Sequence, residues 1–369
     1  MAVGEIARTT AIPPPVWRTR VGPDGPAWLE LGPDDRTARF MRLVSDLSRG
    51  YDDAGEGKRI TCGHAYTGVD AAIAWTAVCR DPLCGAPRQS VESFPRRWQG
   101  LRASMPAEPC HYVSLGPGDG RKDGVLLEDL SRANADLCYL PVDAGEDLLH
   151  LAVRGLIRRL GLPTDRVLSL PWDFTLPENL HALRGLLDEL FGPTPVLFSL
   201  LGNTIAHFDD DVAVLGRCAE ALLRPGDRLL LEAEVTMALG ADQVVDAVAE
   251  YEHSTAFGAF VAATLRAHTD LLVDDDAVEL LGAVEDERAL VVRTAYRNRT
   301  DADLRLRLPN DTAVRFPPDD TIRLALTRKY TPEGLATMLH EAGLTVTADT
   351  CTGTGGQFGL ALLMLAVDG

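Results

Sequence analysis

The chain reads as an α/β protein: a Rossmann-like, seven-stranded, mostly parallel sheet that ends in an antiparallel hairpin, with a second α+β part beside it. Three observations predict this. From His111 to Glu234 short β-rich runs alternate with helix-length amphipathic runs, which implies a parallel sheet with helices on both faces. The first of those strands feeds into three glycines, in His111-Tyr-Val-Ser-Leu-Gly-Pro-Gly-Asp-Gly120. The chain closes on two strands around Gly353-Thr-Gly-Gly356, and strands joined by so tight a turn must pair antiparallel.

Up to about residue 35 the sequence is rich in proline and glycine (Pro13 to Pro15, Gly22 to Gly25, Gly32-Pro33), which predicts a segment running along the surface. Phe40, Leu43, Val44 and Leu47 recur at helical spacing and predict a helix over 36–49. After a polar break at 51–57, helices are expected over 69–78 and 91–105. Residues 1–105 therefore read as a small, mainly helical unit, not as a sheet. Strands at 111–115, 137–142, 167–170, 196–200 and 228–234 then alternate with helices at 122–133, 146–160, 176–191 and 210–223. That makes 106–236 a ligand-binding core, whose sites lie at the carboxyl ends of the strands.

After Glu234 the alternation stops. Residues 239–270 are helical, and strand-like runs lie at 289–293, 304–308 and 322–326. Residues 237–320 read as a segment set apart from the core. A helix at 332–342 and strands at 344–348 and 358–367 make 321–369 the last part of the core. A parallel sheet ending in such a hairpin is the mark of the class I S-adenosylmethionine-dependent methyltransferase fold; nicotinamide-binding Rossmann domains lack it.

Composition excludes several partners. The formal charge is −18, which disfavours nucleic acid and anionic membrane surfaces. No run has the length or flanks of a signal peptide or membrane span. Seven scattered cysteines, an odd number, fit a reducing cytoplasm. Cys62-Gly-His64 and Cys79-x4-Cys84 match no common zinc spacing, so no metal is expected. The sequence sets no oligomeric state.

The glycine turn has the spacing G-x-G-x-G instead of G-x-G-x-x-G, so by itself it is either a connection or a site where backbone N–H groups approach a ligand. Lys122, in the first turn of the following helix, is disfavoured there unless it faces an anion, such as a cofactor carboxylate. Asp143 ends the second strand, where an acid accepts hydrogen bonds from ribose hydroxyls; the alternative is a helix cap with Glu146 as its capping-box partner. Asp173-Phe174 follows the third strand. The pair suits an adenine, one residue for the exocyclic amine and one for the ring face, or else forms a surface turn.

Leu200-Leu-Gly-Asn-Thr-Ile-Ala-His-Phe208, Ser114-Leu-Gly-Pro-Gly-Asp-Gly-Arg-Lys122, Pro141-Val-Asp143 and Thr327-Arg-Lys-Tyr-Thr331 together resemble the histidine-specific S-adenosylmethionine-dependent methyltransferases of ergothioneine biosynthesis (EgtD-like). The fungal dimethylallyltryptophan N-methyltransferases belong to the same group. The resemblance runs from about Ile60 to the C-terminus. It implies that Gly116, Gly118, Lys122, Asp143, Asp173, Phe174 and, on the same loop as His207, Asn203 bind S-adenosylmethionine, with S-adenosylhomocysteine as product. It implies that residues 1–105 and an insertion at 237–320 together form an α+β substrate domain, and it places Tyr66 and Tyr251 on the family's substrate tyrosines.

The chain departs from the family where the family recognises its substrate. The asparagine that holds the substrate's amino and carboxylate groups is His207 here, and the imidazole-binding glutamate and serine are Ala325 and Thr327. Removing a buried polar contact costs up to about 10⁴-fold in discrimination, so free histidine is not the expected acceptor. The expectation is N-methylation of another amino acid or amino-acid-derived small molecule in specialised metabolism. His207 is the proton acceptor or a cap on the next helix. Tyr251 orients the acceptor or lies on a helix surface. His253 and Thr327 are further candidates for the substrate site. A non-catalytic cofactor-binding protein and O- or C-methylation in the same pocket are the alternatives.

Overall fold

The computed structural model describes residues 17–21, 27–31, 35–50, 57–105, 108–274, 277–308, 310–353 and 358–367. The proline- and glycine-rich stretches before residue 35, most of the polar break at 51–57 and the turn at 354–356 lie outside them. In chain order the elements are β1 (Trp17–Val21), β2 (Ala27–Leu31), α1 (Asp35–Leu47), β3 (Lys58–Arg59), α2 (Cys62–Ala65), α3 (Val69–Val78) and α4 (Gly85–Arg102). Then come β4 (His111–Leu115), α5 (Arg121–Ala133), β5 (Tyr139–Val142), α6 (Glu146–Leu160), β6 (Leu168–Ser169), α7 (Pro177–Phe191), β7 (Val196–Leu200), α8 (Asp211–Leu222) and β8 (Arg228–Thr236). The last third holds α9 (Ala241–Glu252), α10 (Thr255–His268), β9 (Val278–Glu285), β10 (Ala289–Arg297), β11 (Leu304–Arg307), β12 (Ala313–Phe316), β13 (Thr321–Tyr330), α11 (Pro332–Glu341), β14 (Leu344–Thr352) and β15 (Phe358–Val367).

Strands β5, β4, β7 and β8 lie side by side in parallel. β6 joins beyond β5 through the bridges Tyr139↔Val167 and Val142↔Leu170. On the other edge β15 runs antiparallel to β8, and β14 antiparallel to β15. This is the seven-stranded order with a reversed penultimate strand that defines a class I methyltransferase core. Strand alternation sends Val113, Phe198, Leu231 and Leu363 to one face, against α7, α8 and α11. Tyr112, Leu197, Leu230 and Leu362 go to the other, against α4, α5 and α6.

A second sheet is built on the first. β9, β10 and β13 pair antiparallel in sequence, β3 adds in parallel to β13, and α1 and α10 close a separate core over it around Leu43, Leu47, Phe260, Phe316 and Ile322. The two sheets meet at one register position, where Tyr330 of β13 pairs with Val235 near the end of β8. Residues 321–330, expected with the core, thus pair almost wholly in this accessory sheet.

The first hundred residues also differ from the helical reading. β1 and β2 form a hairpin, and β2 pairs in parallel with β6. Gly22-Pro-Asp-Gly-Pro26 separates the two strands, a turn composition that signals a hairpin. β9, absent from the expected strands, is turned onto β10 by Asp286 and Glu287, both at positive φ (47° and 55°). The turn holds three residues, Asp286 to Arg288; hairpin turns with positive φ are usually marked by glycine, and here that signal is missing.

Candidate active site

The two sheets enclose a cavity of about 470 Å³ at the carboxyl ends of β4, β5 and β7. Its floor on the core side is the glycine turn. Gly116, Gly118 and Gly120 all lie at positive φ (72°, 58° and 73°), a region costing other residues roughly 1–2 kcal/mol. A side chain at Gly118 would meet no protein atom within 4 Å, because the residue faces the open cavity.

Asp143 and Asp173 stand beside this turn, both buried. Gly145 N–H donates to Asp143 Oδ1 at 2.7 Å, while Gly145 itself is the cap residue of α6, so Asp143 is not the capping-box residue. Its second oxygen has no partner among the described residues. Burial pushes the Asp143 carboxyl up to about 6, and the neighbouring Asp173 charge adds to the rise against the pull of Gly145 N–H and Arg39. Asp173 accepts from Thr175 N–H and Oγ on one oxygen, at 3.0 and 2.5 Å. Phe174 packs edge-on to Phe208 at 6.0 Å and turns a ring atom toward Gly116. A strained glycine cradle open to a cavity and a buried carboxylate with a free oxygen fit a nucleoside cofactor.

Lys122 lines the cavity, but the anion it faces is already in the protein. Its ammonium contacts Glu232 and Ser90, and Glu232 also accepts from Arg97 at 2.5 Å and from Gly202 N–H at 2.6 Å. A cofactor carboxylate is not needed to account for a lysine at this helix start. Sequence reasoning missed Glu232, whose only signal was an acid within the apolar run of β8.

Asn203, at φ 62°, is a clamp. Its Oδ1 accepts from Glu234 N–H at 3.0 Å, and its Nδ2 donates to Thr327 Oγ1 and Arg328 O at 3.2 and 3.0 Å. Both amide hydrogens are used, so the side chain joins the two sheets and has no donor left for a cofactor.

The far half of the cavity carries the substituted positions. His207 Nδ1 donates to Leu326 O at 2.7 Å, which fixes the tautomer and leaves Nε2 as a free acceptor. Burial holds this imidazole below its ordinary value, so it is neutral near pH 7. The cap of the next helix is Asp210, which accepts from Ala213 N–H, and not His207. Tyr251 lines the cavity with Thr327 and lies 5.0 Å from the Phe257 ring. Tyr66 packs between Trp75 and Phe260, with centroids at 5.1 and 5.3 Å. Ala325 and Thr327 line the same space. His253 does not: it is exposed at the end of α9 and outside the cavity. Among the described residues no cluster of His, Cys, Asp and Glu could hold a metal, all seven cysteines are free thiols, and no helix is long and apolar enough to cross a membrane.

Fold and site together define a class I S-adenosylmethionine-dependent methyltransferase. The family described as histidine-specific, SAM-dependent methyltransferase matches residues 87–365. The chain belongs to that family. Among solved structures it is similar to an S-adenosylmethionine-dependent methyltransferase from Clostridium acetobutylicum (12% identity over 76% of this chain and 92% of that one, TM-score 0.38). It is similar also to magnesium protoporphyrin IX methyltransferase from Synechocystis (12%, 83% and 98%, TM-score 0.42). A third is the 1,6-didemethyltoxoflavin-N1-methyltransferase from Burkholderia thailandensis (14%, 87% and 100%, TM-score 0.41). No match was found among curated proteins.

Proposed function

We propose that the protein methylates nitrogen on an amino acid or amino-acid-derived amine other than free histidine, as an enzyme of specialised metabolism. One observation carries the reading. The cavity keeps the family's cofactor residues Gly116, Gly118, Asp143, Asp173 and Phe174, yet has His207, Ala325 and Thr327 where the family reads histidine.

When bound, S-adenosylmethionine would supply an electrophilic methyl for transfer to an amine lone pair, the thioether sulfur leaving with the electron pair of the C–S bond. Asp143 holds the ribose, and Asp173 with Phe174 holds the adenine. His207 Nε2 takes the proton that the acceptor nitrogen loses, its other nitrogen being committed to Leu326 O. Tyr251, which lines the cavity with Thr327, orients the acceptor. The protein acts as a positioning device, and in-line geometry is where such devices gain most of their rate.

The test is a turnover screen of amines and amino acids with S-adenosylmethionine, read by mass spectrometry. An N-methylated product from an acceptor other than histidine is expected. Histidine as the preferred acceptor, or no product from any amine while S-adenosylhomocysteine binds, would overturn it.

A further inference from the structure

Ala325 removes the carboxylate that the accessory sheet contributes in the family, yet the cavity is not left without one. Glu234, near the end of β8, lines it and is only 7% exposed. Its backbone is fixed by Asn203. Oε2 is tied to the Lys329 ammonium, and Oε1 has no partner among the described residues. Lys329, itself 1% exposed, is shared with Glu250 at 2.5 Å. Two carboxylates thus surround one ammonium in the wall between this cavity and a second of about 370 Å³, an excess of one negative charge where unpaired charge is costly.

The wall facing that charge is aromatic. Tyr66, Trp75, Phe260, Phe257 and Tyr251 follow one another with centroid separations of 5.1, 5.2, 6.4 and 5.0 Å. Such faces favour an apolar or aromatic body and attract a cation.

We infer that Glu234 is the carboxylate that anchors the acceptor in this chain, and that the acceptor carries a cationic amine on an aromatic or apolar body. The inference rests on the methyltransferase reading above and names its substrate class. Glu234, His207 and Tyr251 line one cavity, so an ammonium drawn to Glu234 shares that space with the group that takes its proton.

The experiment uses the full chain saturated with S-adenosylhomocysteine, titrated calorimetrically with phenethylamine and with its neutral isostere 2-phenylethanol. The amine is expected to bind at least about tenfold tighter, a ratio that falls to near one in Glu234→Gln while affinity for S-adenosylhomocysteine stays within about twofold. Glu250→Gln removes the same charge from the far side of Lys329 and keeps most of the preference. An amine that binds no better than the alcohol, or a preference that survives Glu234→Gln, overturns the inference and leaves the methyltransferase reading standing. If Glu234→Gln unfolds, loss of the preference in Glu250→Gln alone overturns it, since net charge and not Glu234 would then be what is read. Failure to bind S-adenosylhomocysteine at all sinks the underlying reading, and this inference with it.

Discussion

In the proposed reaction Asp143 holds the cofactor and His207 takes the proton, and each titrates in a direction that can be tested. Burial raises the Asp143 carboxyl to about 6, above its unfolded value of about 3.9. Its contribution to the stability of the free protein is therefore fully present below the unfolded value and lost as pH rises through about 6. Cofactor binding in the proposed pose has the opposite sign, because the ionised carboxylate accepts from both ribose hydroxyls and makes the stronger, charge-assisted bonds. Affinity for S-adenosylhomocysteine should fall by up to about tenfold for each pH unit below 6. Asp143→Ala should lose about 3 kcal/mol, roughly a hundredfold, and abolish that dependence; calorimetric titration from pH 5 to 8 measures both. His207 is lowered by burial, so it is a competent base down to a pH below about 6.5. His207→Ala should reduce kcat by about 10²–10⁴ and remove the acid limb of the pH profile, with cofactor affinity unchanged. A kcat within threefold of the parent would exclude it as the base.

At the scale of elements, the strand–turn–helix from β4 to α5 is where sequence and structure agree most closely. Three glycines in left-handed conformations are needed there, and glycine is nearly the only residue that supplies them, so the turn was legible. Its three positions differ in what a methyl group would meet. At Gly118 it enters open cavity, whereas at Gly120 it comes within 3.0 Å of Leu156 and 3.3 Å of Ala152. Gly118→Ala should cost about 1–2 kcal/mol of backbone strain and weaken cofactor binding. Gly120→Ala adds overpacking of about 1–3 kcal/mol and should be clearly the less stable in urea. Equal loss of stability would show that the turn is not seated on α6 as described. The less legible elements were hairpins. β1–β2 carried a Pro-Asp-Gly turn that a general proline-and-glycine reading absorbed, and β9–β10 turns on Asp286-Glu287 without a glycine. Glu234 and Glu232 were hidden for a different reason. Their roles depend on partners about 100 or more residues away in sequence, which no local pattern reveals.

Across the whole molecule, Glu232 is the point where three remote segments are held together, through Arg97, Lys122 and Gly202 N–H. It is completely buried, with Arg97 of α4 on one side, also at 0% exposure, and Lys122 of α5 on the other. Burial alone would raise its carboxyl, but Lys122 and Arg97 together bring it below the ordinary range. An acid with a depressed pKa contributes stability above its unfolded value, about 4.3, and loses it as pH falls through the lower folded value. Such a network is not evidence of high stability, since desolvation offsets most of the Coulomb gain; removing one member is what costs. Glu232→Gln leaves Arg97 charged with Nε and Nη1 already without hydrogen-bond partners, and should destabilise by about 3–5 kcal/mol. Arg97→Met in the same background should recover part of that loss, because the stranded charge is gone. A double-mutant cycle by chemical denaturation decides it: a coupling of about 1–3 kcal/mol is expected between residues sharing a buried pair, and strict additivity would mean that the helix from the first hundred residues is not tied to the core through this carboxylate.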